Sequence, residues 1–540
     1  MTIDPGNAEA HNSLGIALRA LGRLAEAEAS YREAVQLRPN YPEAHSNLGN
    51  ALRALGRPGE AEASYREALR LRPNYPEAYY NLGAALIDLG RLVEAEASYR
   101  EALRLSPNYP EAHSNLGHAL CDLGRPAEAE ASCREALRLR PNNPQAHNNL
   151  GVALNDLSRA AEAEASYREA LRLRPNYPEV HSNLGSALYA LGRLTEAEAS
   201  FREALRLRPN YPEAHDNLGH ALLLAGRFEE GWKEYEWRWK TKTLSSSARD
   251  FSAPLWRGEA IADRTILLHA EQGLGDTLQF CRYAPLIGRG AGIILEVQAP
   301  LVRLLSRLPG VMKIGARGES LPPFDLHCPL MSLPLAFRTT LDTIPAATPY
   351  LSADPSLAAN WRERLVGLDG PRIGLVWAGQ ARSNFPAAAA VDRRRSIALK
   401  ALAPLAEVSG VSFVSLQKDG PAAQAANPPP GMVLHDFTGK LHDFEDTAAL
   451  IVNLDLVISV DTSVAHLAGA LGKPVWLLNR FDTCWRWLLN RDDSPWYPTL
   501  RQFRQPRPGD WNSAVCAARD ALHRLMAGDC DQPSARQAGI

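Results

Sequence analysis

The sequence predicts an all-α array of helical hairpins followed by an α/β region of two lobes, each built on a parallel sheet. A unit of 34 residues repeats through about the first 240 residues, since Leu-Gly pairs such as Leu48-Gly49 and Leu82-Gly83 lie one period apart. From Thr265 onward, short β-branched runs alternate with helical segments, a pattern typical of doubly wound domains with parallel strands.

Each repeat predicts two helices, at 44–54 and 59–71 in one unit. Gly56 supplies the left-handed residue between them, and proline separates one unit from the next because it cannot continue a helix. The period, the Leu-Gly pair, Ala61 with Tyr65 and the closing proline resemble the tetratricopeptide signature. The resemblance implies seven stacked units, the last divergent, with a concave surface that suits extended partners.

Residues 231–239, at the end of the array, are rich in aromatic side chains. This enrichment predicts a cap that packs against the C-terminal half of the chain. Polar residues 243–250 predict a linker. Six strands are predicted after it, at 265–269, 292–297, 372–377, 411–416, 456–459 and 475–478, with a helix at 512–526.

Composition excludes several classes of protein. The net charge of −2 argues against a dedicated nucleic-acid binder. Seven cysteines without CxxC spacing indicate neither a disulfide framework nor a zinc site. No apolar run reaches the roughly 20 residues of a membrane span, and the start lacks the features of a signal peptide. We therefore expect a soluble, cytoplasmic protein without a membrane span.

The most specific motif is Asp461-Thr462-Ser463-x-x-His466, where a predicted strand ends and a helix begins. Ligands of parallel sheets bind beyond the carboxyl ends of strands, and a helix start suits a phosphate. Thr462, Ser463 and His466 can donate to a diphosphate, whereas Asp461 is better suited to accept sugar hydroxyls. The alternative is that Thr462 and Ser463 only cap the helix.

This motif resembles Asp-[Ser/Thr]-[Gly/Ser]-x-x-His of the ADP-heptose heptosyltransferases, which have the two-lobed GT-B glycosyltransferase fold. The resemblance spans about residues 260–505 and implies a nucleotide-sugar diphosphate at the motif. Ser463 replaces the glycine common in the family. Residues 485–498 resemble bacterial proteins that fuse tetratricopeptide arrays to such a domain.

Other strand ends predict further donor-binding residues. Gly379 follows one strand, Arg395 can clamp a phosphate, and Gln417 and Lys418 can reach the base or a phosphate. For the arginine run, a solvated charged segment is the alternative. In the first lobe, Gly275 and Asp276 follow a strand, and Asp276 is a candidate helix cap. The heptosyltransferase resemblance implies that Asp276 takes the proton of the acceptor.

Two columns of the repeats carry polar side chains. The histidine column, which includes His45 and His113, is interpreted as structural because adjacent repeats hold such residues about 10 Å apart, too far for one metal ion. The asparagine column is predicted to line the concave surface and bind a peptide acceptor, as similar residues do in O-GlcNAc transferases; the alternative is retained repeat consensus. Its members are Asn47, Asn81, Asn115, Asn149, Asn183 and Asn217.

Together these features predict a metal-independent GT-B glycosyltransferase without a cofactor, which transfers a sugar to a protein Ser or Thr. Two alternatives are a heptosyltransferase-like enzyme with a glycan acceptor and a non-catalytic scaffold. The predicted domains are repeats at 1–242, a linker at 243–254, an acceptor-side lobe at 255–367, a nucleotide-sugar lobe with a returning helix at 368–526, and a tail at 527–540.

Overall fold

The computed structural model describes residues 6–245, 249–288, 290–380 and 386–528. The chain divides into two compact units, residues 1–191 and 192–540. The predicted domain boundary at residue 242 thus lies inside the second unit, which holds the last three helices of the array together with both α/β lobes.

The first unit is helical throughout its regular structure, and its helix pairs pack side by side as in a tetratricopeptide superhelix. The helices predicted at 44–54 and 59–71 are confirmed as α3 and α4. The helices are α1 (Ala8–Ala20), α2 (Leu24–Leu37), α3 (Pro42–Ala54), α4 (Pro58–Leu71), α5 (Pro76–Asp88), α6 (Leu92–Leu105), α7 (Pro110–Asp122), α8 (Pro126–Leu139), α9 (Pro144–Asp156), α10 (Ala160–Leu173) and α11 (Pro178–Ala190).

In several units the glycine of the Leu-Gly pair packs against the later tyrosine, whereas Gly117 faces Cys133. A Cβ atom on Gly49 would lie 2.6 Å from the Tyr65 ring, and one on Gly83 would lie 2.7 Å from the Tyr99 ring. Both tyrosines are buried. A glycine is therefore required where the two helices of a pair approach most closely, because any larger residue would displace a core aromatic ring.

The histidine column has the structural role that the sequence predicted. His45 Nε2 lies 2.9 Å from the carbonyl oxygen of Pro39, and the same 2.9 Å contact joins His113 to Pro107. Because His147, His181 and His215 repeat this contact, the imidazoles hold the turn between successive repeats.

One turn of the array departs from the glycine pattern. Six turns carry a glycine with φ between 72° and 78°, but Ser158 takes that place with φ 63°. We expect Ser158→Gly to raise the free energy of unfolding of the repeat region by about 0.5–1 kcal/mol, because serine is strained in the left-handed region. Urea unfolding measures the change.

The reverse substitution is the matched control. Gly124 has φ 72° and open space around its Cβ position, so Gly124→Ser tests backbone strain alone. It should lower stability by a similar amount. Equal stability of Ser158→Gly and the natural chain would show that this turn is not strained.

The second unit contains two parallel sheets. Its helices are α12 (Leu194–Leu207), α13 (Pro212–Leu224), α14 (Phe228–Tyr235), α15 (Lys242–Ser245), α16 (Leu274–Phe280), α17 (Val302–Leu305), α18 (Leu333–Ala336), α19 (Pro355–Arg364), α20 (Pro386–Arg395), α21 (Phe444–Ile451), α22 (Ser463–Ala470) and α23 (Trp511–Met526). Its strands are β1 (Thr265–His269), β2 (Gly292–Val297), β3 (Val311–Ala316), β4 (Leu326–Pro329), β5 (Arg372–Val376), β6 (Ser412–Ser415), β7 (Leu434–Asp436), β8 (Leu456–Val460), β9 (Val475–Asn479) and β10 (Leu500–Arg504).

The strand orders are β3-β2-β1-β4 in the first lobe and β10-β9-β8-β5-β6-β7 in the second, consistent with a GT-B-like domain. All six predicted strands are confirmed. The four that the sequence did not predict, β3, β4, β7 and β10, lie at the four sheet edges. Helix α23 packs against β9 and β10 of the second lobe. Among the described residues, no helix combines the length and apolarity needed to cross a membrane.

The aromatic cap of the array packs against the α/β lobes, as predicted. Trp232 is buried, and its indole nitrogen donates to the Thr339 carbonyl at 3.0 Å. Its ring meets Trp485 edge to face at 5.2 Å. Thus α14 shares a core with both lobes of the second unit.

Candidate functional site

The two turns singled out in the sequence meet between the lobes. Gly275 lies in the first turn of α16, after β1, and Ser463 and His466 lie in α22, after β8. A Cβ atom on Gly275 would lie 2.9 Å from His466 Cδ2 and 3.5 Å from Ser463 Cα. A side chain at position 275 would therefore push the two turns apart, so steric hindrance explains why this position is glycine.

The start of α22 has no side-chain cap. Thr462 occupies the N-cap position, but its side chain makes no capping hydrogen bond. Its hydroxyl lies 3.0 Å from Ser459 Oγ instead. The alternative in which Thr462 acts as an ordinary cap is therefore not what the structure shows, and the positive end of this helix is available to an anion.

His466 is buried beside this helix start. Its Nδ1 lies 3.0 Å from the Tyr497 hydroxyl, and its ring stacks on Trp487 with centroids 5.1 Å apart. Burial lowers the pKa of His466 to about 4, so the imidazole is neutral near pH 7. If Tyr497 donates to Nδ1, the remaining proton is on Nε2, which lies 4.0 Å from Asp461 Oδ1.

Asp276 has partners on both carboxylate oxygens. Oδ2 accepts from the backbone N–H of Gly273, the N-cap residue of α16, at 2.8 Å. Oδ1 lies 2.5 Å from Arg486 Nη2, and Arg486 Nε donates to Gln279 at 2.8 Å. Asp276 thus supports the helix start from the third position of α16 and not from the N-cap position that the sequence predicted, which Gly273 occupies. A base role must use an oxygen that also accepts from Arg486.

Arg486 is a site residue that the sequence analysis missed. It lies in a short 3-10 helix after β9, Trp485–Trp487, where no periodicity or strand end points to it. The available signal was its place between two tryptophans, Trp485 and Trp487. Both rings are buried, and the guanidinium lies 4.2 Å from the Trp485 ring centroid.

Gly379, Arg395 and Asp461 lie together in the second lobe, as their places at strand ends predicted. A Cβ on Gly379 would lie 2.7 Å from Arg395 Nη2, and Arg395 Nη1 lies 3.4 Å from the Asp461 carbonyl oxygen. Arg395 also pairs with Asp392 at 2.8 Å. This arginine is therefore held near the motif and does not extend as a solvated charge.

Gln417 and Lys418 make hydrogen bonds to backbone groups. For Gln417 this corrects the predicted donor-binding role, whereas the role of Lys418 stays a prediction. The Gln417 carbonyl accepts from the N–H groups of Trp377 and Ala378, and its amide donates to two backbone carbonyls. The prediction for Gln417 is wrong because its hydrogen-bonding capacity is used. Lys418 Nζ donates to the carbonyls of Thr438 and Leu441 at 2.9 and 2.8 Å, so it holds the loop after β7.

The asparagine column bonds adjacent repeats to each other. Asn149 is 1% exposed, donates to the Ser114 carbonyl at 2.9 Å and accepts from Gln145 at 3.0 Å. The prediction that Asn149 lines an open concave surface is wrong, because its amide turns toward the preceding repeat. The same separation of 35 residues joins Asn47 to Asn12, Asn115 to Tyr80 and Asn183 to Asn148. Roles for Asn47, Asn81, Asn115, Asn183 and Asn217 in acceptor binding stay predictions.

The loop that carries Asp276 is held by the end of the repeat array. Arg238 is buried and contacts the Glu271 carboxylate at 2.9 and 3.2 Å. Tyr235 accepts from the Gln272 side chain at 2.9 Å. Burial raises the pKa of Glu271 to about 7, against the opposing effect of the Arg238 guanidinium. The last helix pair is therefore part of the structure that positions this loop.

No group of three or more His, Cys, Asp or Glu side chains that could hold a metal ion occurs within the described ranges. The cations near the motif are arginines, which can bind phosphate oxygens in pairs of parallel hydrogen bonds.

Comparison with known proteins divides the chain in the same way. Residues 3–236 match the model of the cilia and flagella-associated protein 70 C-terminal domain, a tetratricopeptide family. Residues 401–478, which include the Asp461 motif, match glycosyltransferase family 9 (heptosyltransferase).

Individual proteins give partial matches. Protein FlbA of Caulobacter vibrioides is 28% identical over 325 residues, and the match covers 55% of this chain and 53% of FlbA. The chain thus spans about half the length of this curated relative. Among solved structures, the Cut9-Hcn1 complex of APC/C has a TM-score of 0.38 at 22% identity, covering 40% of this chain and 43% of that one. Pseudomonas aeruginosa PilF has a TM-score of 0.35 at 22% identity, covering 39% and 95%. The chain thus has a tetratricopeptide-like N-terminal region and, at residues 401–478, a segment similar to glycosyltransferase family 9.

Proposed function

We propose that this chain is a metal-independent GT-B enzyme that transfers a sugar from a nucleotide-sugar donor to a protein Ser or Thr hydroxyl. The contact of Gly275 with His466 and Ser463 is the observation that carries the proposal. It joins a strand end of each lobe into one site, which is where an acceptor from one lobe and a donor from the other would meet.

The donor diphosphate is assigned to the start of α22, with Thr462, Ser463 and His466 as hydrogen-bond donors. Arg395 supplies positive charge, and Asp461 accepts from a sugar hydroxyl. These roles are supported by the uncapped helix start and by the contact of Arg395 with the Asp461 carbonyl.

Asp276 is the candidate base. In the transfer, the acceptor oxygen bonds to the anomeric carbon, the bond from that carbon to the diphosphate breaks, and the acceptor proton passes to Asp276. Each carboxylate oxygen has two lone pairs, so Oδ1 can accept this proton while Arg486 shares the same atom.

The protein acceptor is supported by the repeats, since tetratricopeptide arrays bind other chains. The peptide is not assigned to the buried Asn149 amide. A glycan acceptor is the second candidate, favoured by the heptosyltransferase match at the motif.

A cytoplasmic location is also part of the proposal and agrees with the six free cysteines among the described residues.

A screen of nucleotide sugars that reads the released nucleotide tests the activity. We expect release with at least one donor, and mass spectrometry of co-expressed proteins should then find the sugar on Ser or Thr. Release together with sugar on a glycan alone would favour the second candidate. A chain that binds nucleoside diphosphates but releases none from any donor would favour a non-catalytic scaffold.

Replacing Thr462 and Ser463 together by Ala should weaken nucleoside diphosphate binding by about 10-fold or more. Each hydrogen bond to a charged group contributes about 1.5–3 kcal/mol, partly recovered by water. Calorimetric titration measures the dissociation constant. Ser513→Ala, at an exposed site near the start of α23, is the control. A double variant that binds as tightly as this control would remove the donor site from α22.

A further inference from the structure

Arg480 extends the same edge of the second sheet. Strands β8 and β9 are parallel neighbours, with Val460 paired to Leu478. Thr462 and Arg480 each lie two residues beyond that pair, so both leave the sheet at its carboxyl edge. Arg480 is therefore placed beside the start of α22, although nothing in its local sequence marks it.

Arg480 is a nearly buried cation with unused hydrogen-bonding capacity. Its side chain is 11% exposed, and its Nε has no hydrogen-bond partner among the described residues. Its Nη1 lies 3.3 Å from Asp482 Oδ2, a long contact for a charged pair. A guanidinium carries five N–H donors, and leaving them unused in a buried place is costly.

A second arginine meets the same carboxylate oxygen. Arg394 Nε lies 3.0 Å from Asp482 Oδ2, and Arg394 precedes Arg395, which contacts the Asp461 backbone. One oxygen of Asp482 thus lies between two guanidinium groups at the edge where α22 begins. A phosphate oxygen is recognised by arginine in the same way as a carboxylate oxygen, but it carries more charge.

We propose that Arg480 and Arg394 bind the diphosphate of the donor, and that Asp482 pairs with them while the donor is absent. The inference rests on the proposed function, because it takes the start of α22 as the donor site. Donor binding then moves the guanidinium groups from one carboxylate oxygen to two phosphate groups. The negative charge of Asp482 opposes this exchange, so Asp482 lowers the affinity for the donor.

The proposal predicts opposite effects for the two partners of one ion pair. Arg480→Met should weaken the binding of ADP, GDP or UDP by about 10-fold or more, because it removes charge-assisted hydrogen bonds. Asp482→Asn should tighten binding several-fold, because it keeps the shape but removes the competing charge. A purely structural ion pair would give changes of the same sign in both variants.

The test is calorimetric titration of the full chain with each of the three nucleoside diphosphates. Arg507→Met is the matched control, since Arg507 forms an exposed pair with Asp510 in the same lobe; it should bind as the natural chain does. Circular dichroism and the melting temperature report whether each variant is folded. If Arg480→Met is unfolded, Arg480→Lys and Asp482→Asn are titrated instead. Asp482→Asn must then still bind the nucleoside diphosphates more tightly than the natural chain does.

The outcomes separate this inference from the proposed function. If the natural chain binds none of the three probes, the donor site itself is wrong and this inference falls with it. If the natural chain binds and Asp482→Asn binds equally or more weakly, only the role of the arginine pair is overturned. Unchanged binding by folded Arg480→Met overturns it as well.

Discussion

Asp276→Asn should lower turnover by about 100-fold or more, because the amide cannot take the acceptor proton. The hydrogen bond from the Gly273 N–H should survive, since the asparagine carbonyl oxygen can accept it. Stability should nevertheless fall, because Arg486 lies within 2.5 Å of Asp276 and would lose its counter-charge in a nearly buried place. A loss of activity in this variant alone would therefore not prove a catalytic role.

A second substitution separates catalysis from stability. Asp276→Asn with Arg486→Gln removes both charges, so we expect the melting temperature to recover while turnover stays low. Arg486→Gln alone keeps the carboxylate and its cap, and it should retain more activity than either variant that lacks Asp276. Sugar transfer and the melting temperature are measured for all three. Full activity in the folded double variant would leave Asp276 only its cap role.

Arg238→Met should destabilise the second unit by about 3–5 kcal/mol, because it leaves the buried Glu271 carboxylate without its cation. The loop from Glu271 to Asp276 should also loosen, so transfer should fall even at temperatures where the variant is folded. Arg238→Met with Glu271→Gln removes the unpaired charge and should recover much of the stability. The melting temperature and the transfer rate measure these effects.

The loss of stability in Arg238→Met should depend on pH. Burial already raises the pKa of Glu271 to about 7, and removing Arg238 raises it further. A carboxyl group with a raised folded pKa stabilises the fold most below its unfolded pKa, and this contribution is lost as the pH rises through the folded value. Arg238→Met should therefore be closer to the natural chain at pH 5 than at pH 8. A deficit below about 1 kcal/mol at pH 8, or one that does not change with pH, would contradict this role of the ion pair.

The sequence predicted those parts of the fold whose pattern is local. Several repeats pair a glycine with a tyrosine, as Gly49 does with Tyr65, and these contacts lie at multiples of a fixed period. The central strands β1, β5 and β8 are continuous apolar runs because they are buried on both faces. The sequence did not predict the edge strands β3, β4, β7 and β10. Strand β3 has no fully buried residue, β4 ends in proline, β7 is short, and polar residues alternate with apolar ones in β10.

The site was predicted where a strand end and a turn coincide. Gly275 and the Asp461 motif follow central strands, so the topology brings them together. The expectation that strand-end residues bind a ligand was wrong for Gln417. A side chain at a strand end can form hydrogen bonds with the neighbouring backbone as readily as with a ligand. The same expectation also missed Arg486, whose pairing with Asp276 crosses 210 positions of the sequence. Long-range pairing of this kind leaves no local pattern.

The asparagine column shows a different limit of prediction from sequence. A period of 34 residues establishes that Asn149 and Asn183 occupy equivalent positions, but it does not determine which way their side chains turn. In the first unit the amides turn toward the preceding repeat, where Asn148 accepts from Asn183 at 2.9 Å. The hydrogen bonds of Asn149 and Asn183 therefore contribute to the stacking of the repeats.

A crystal structure of the chain with a bound nucleoside diphosphate tests the central claim most directly. The account predicts the diphosphate at the start of α22, within hydrogen-bonding distance of Thr462 and Ser463 and close to the contact of Gly275 with His466. A nucleotide bound elsewhere in the second unit, with the helix start occupied by protein groups, would contradict the assignment of this cleft as the donor site.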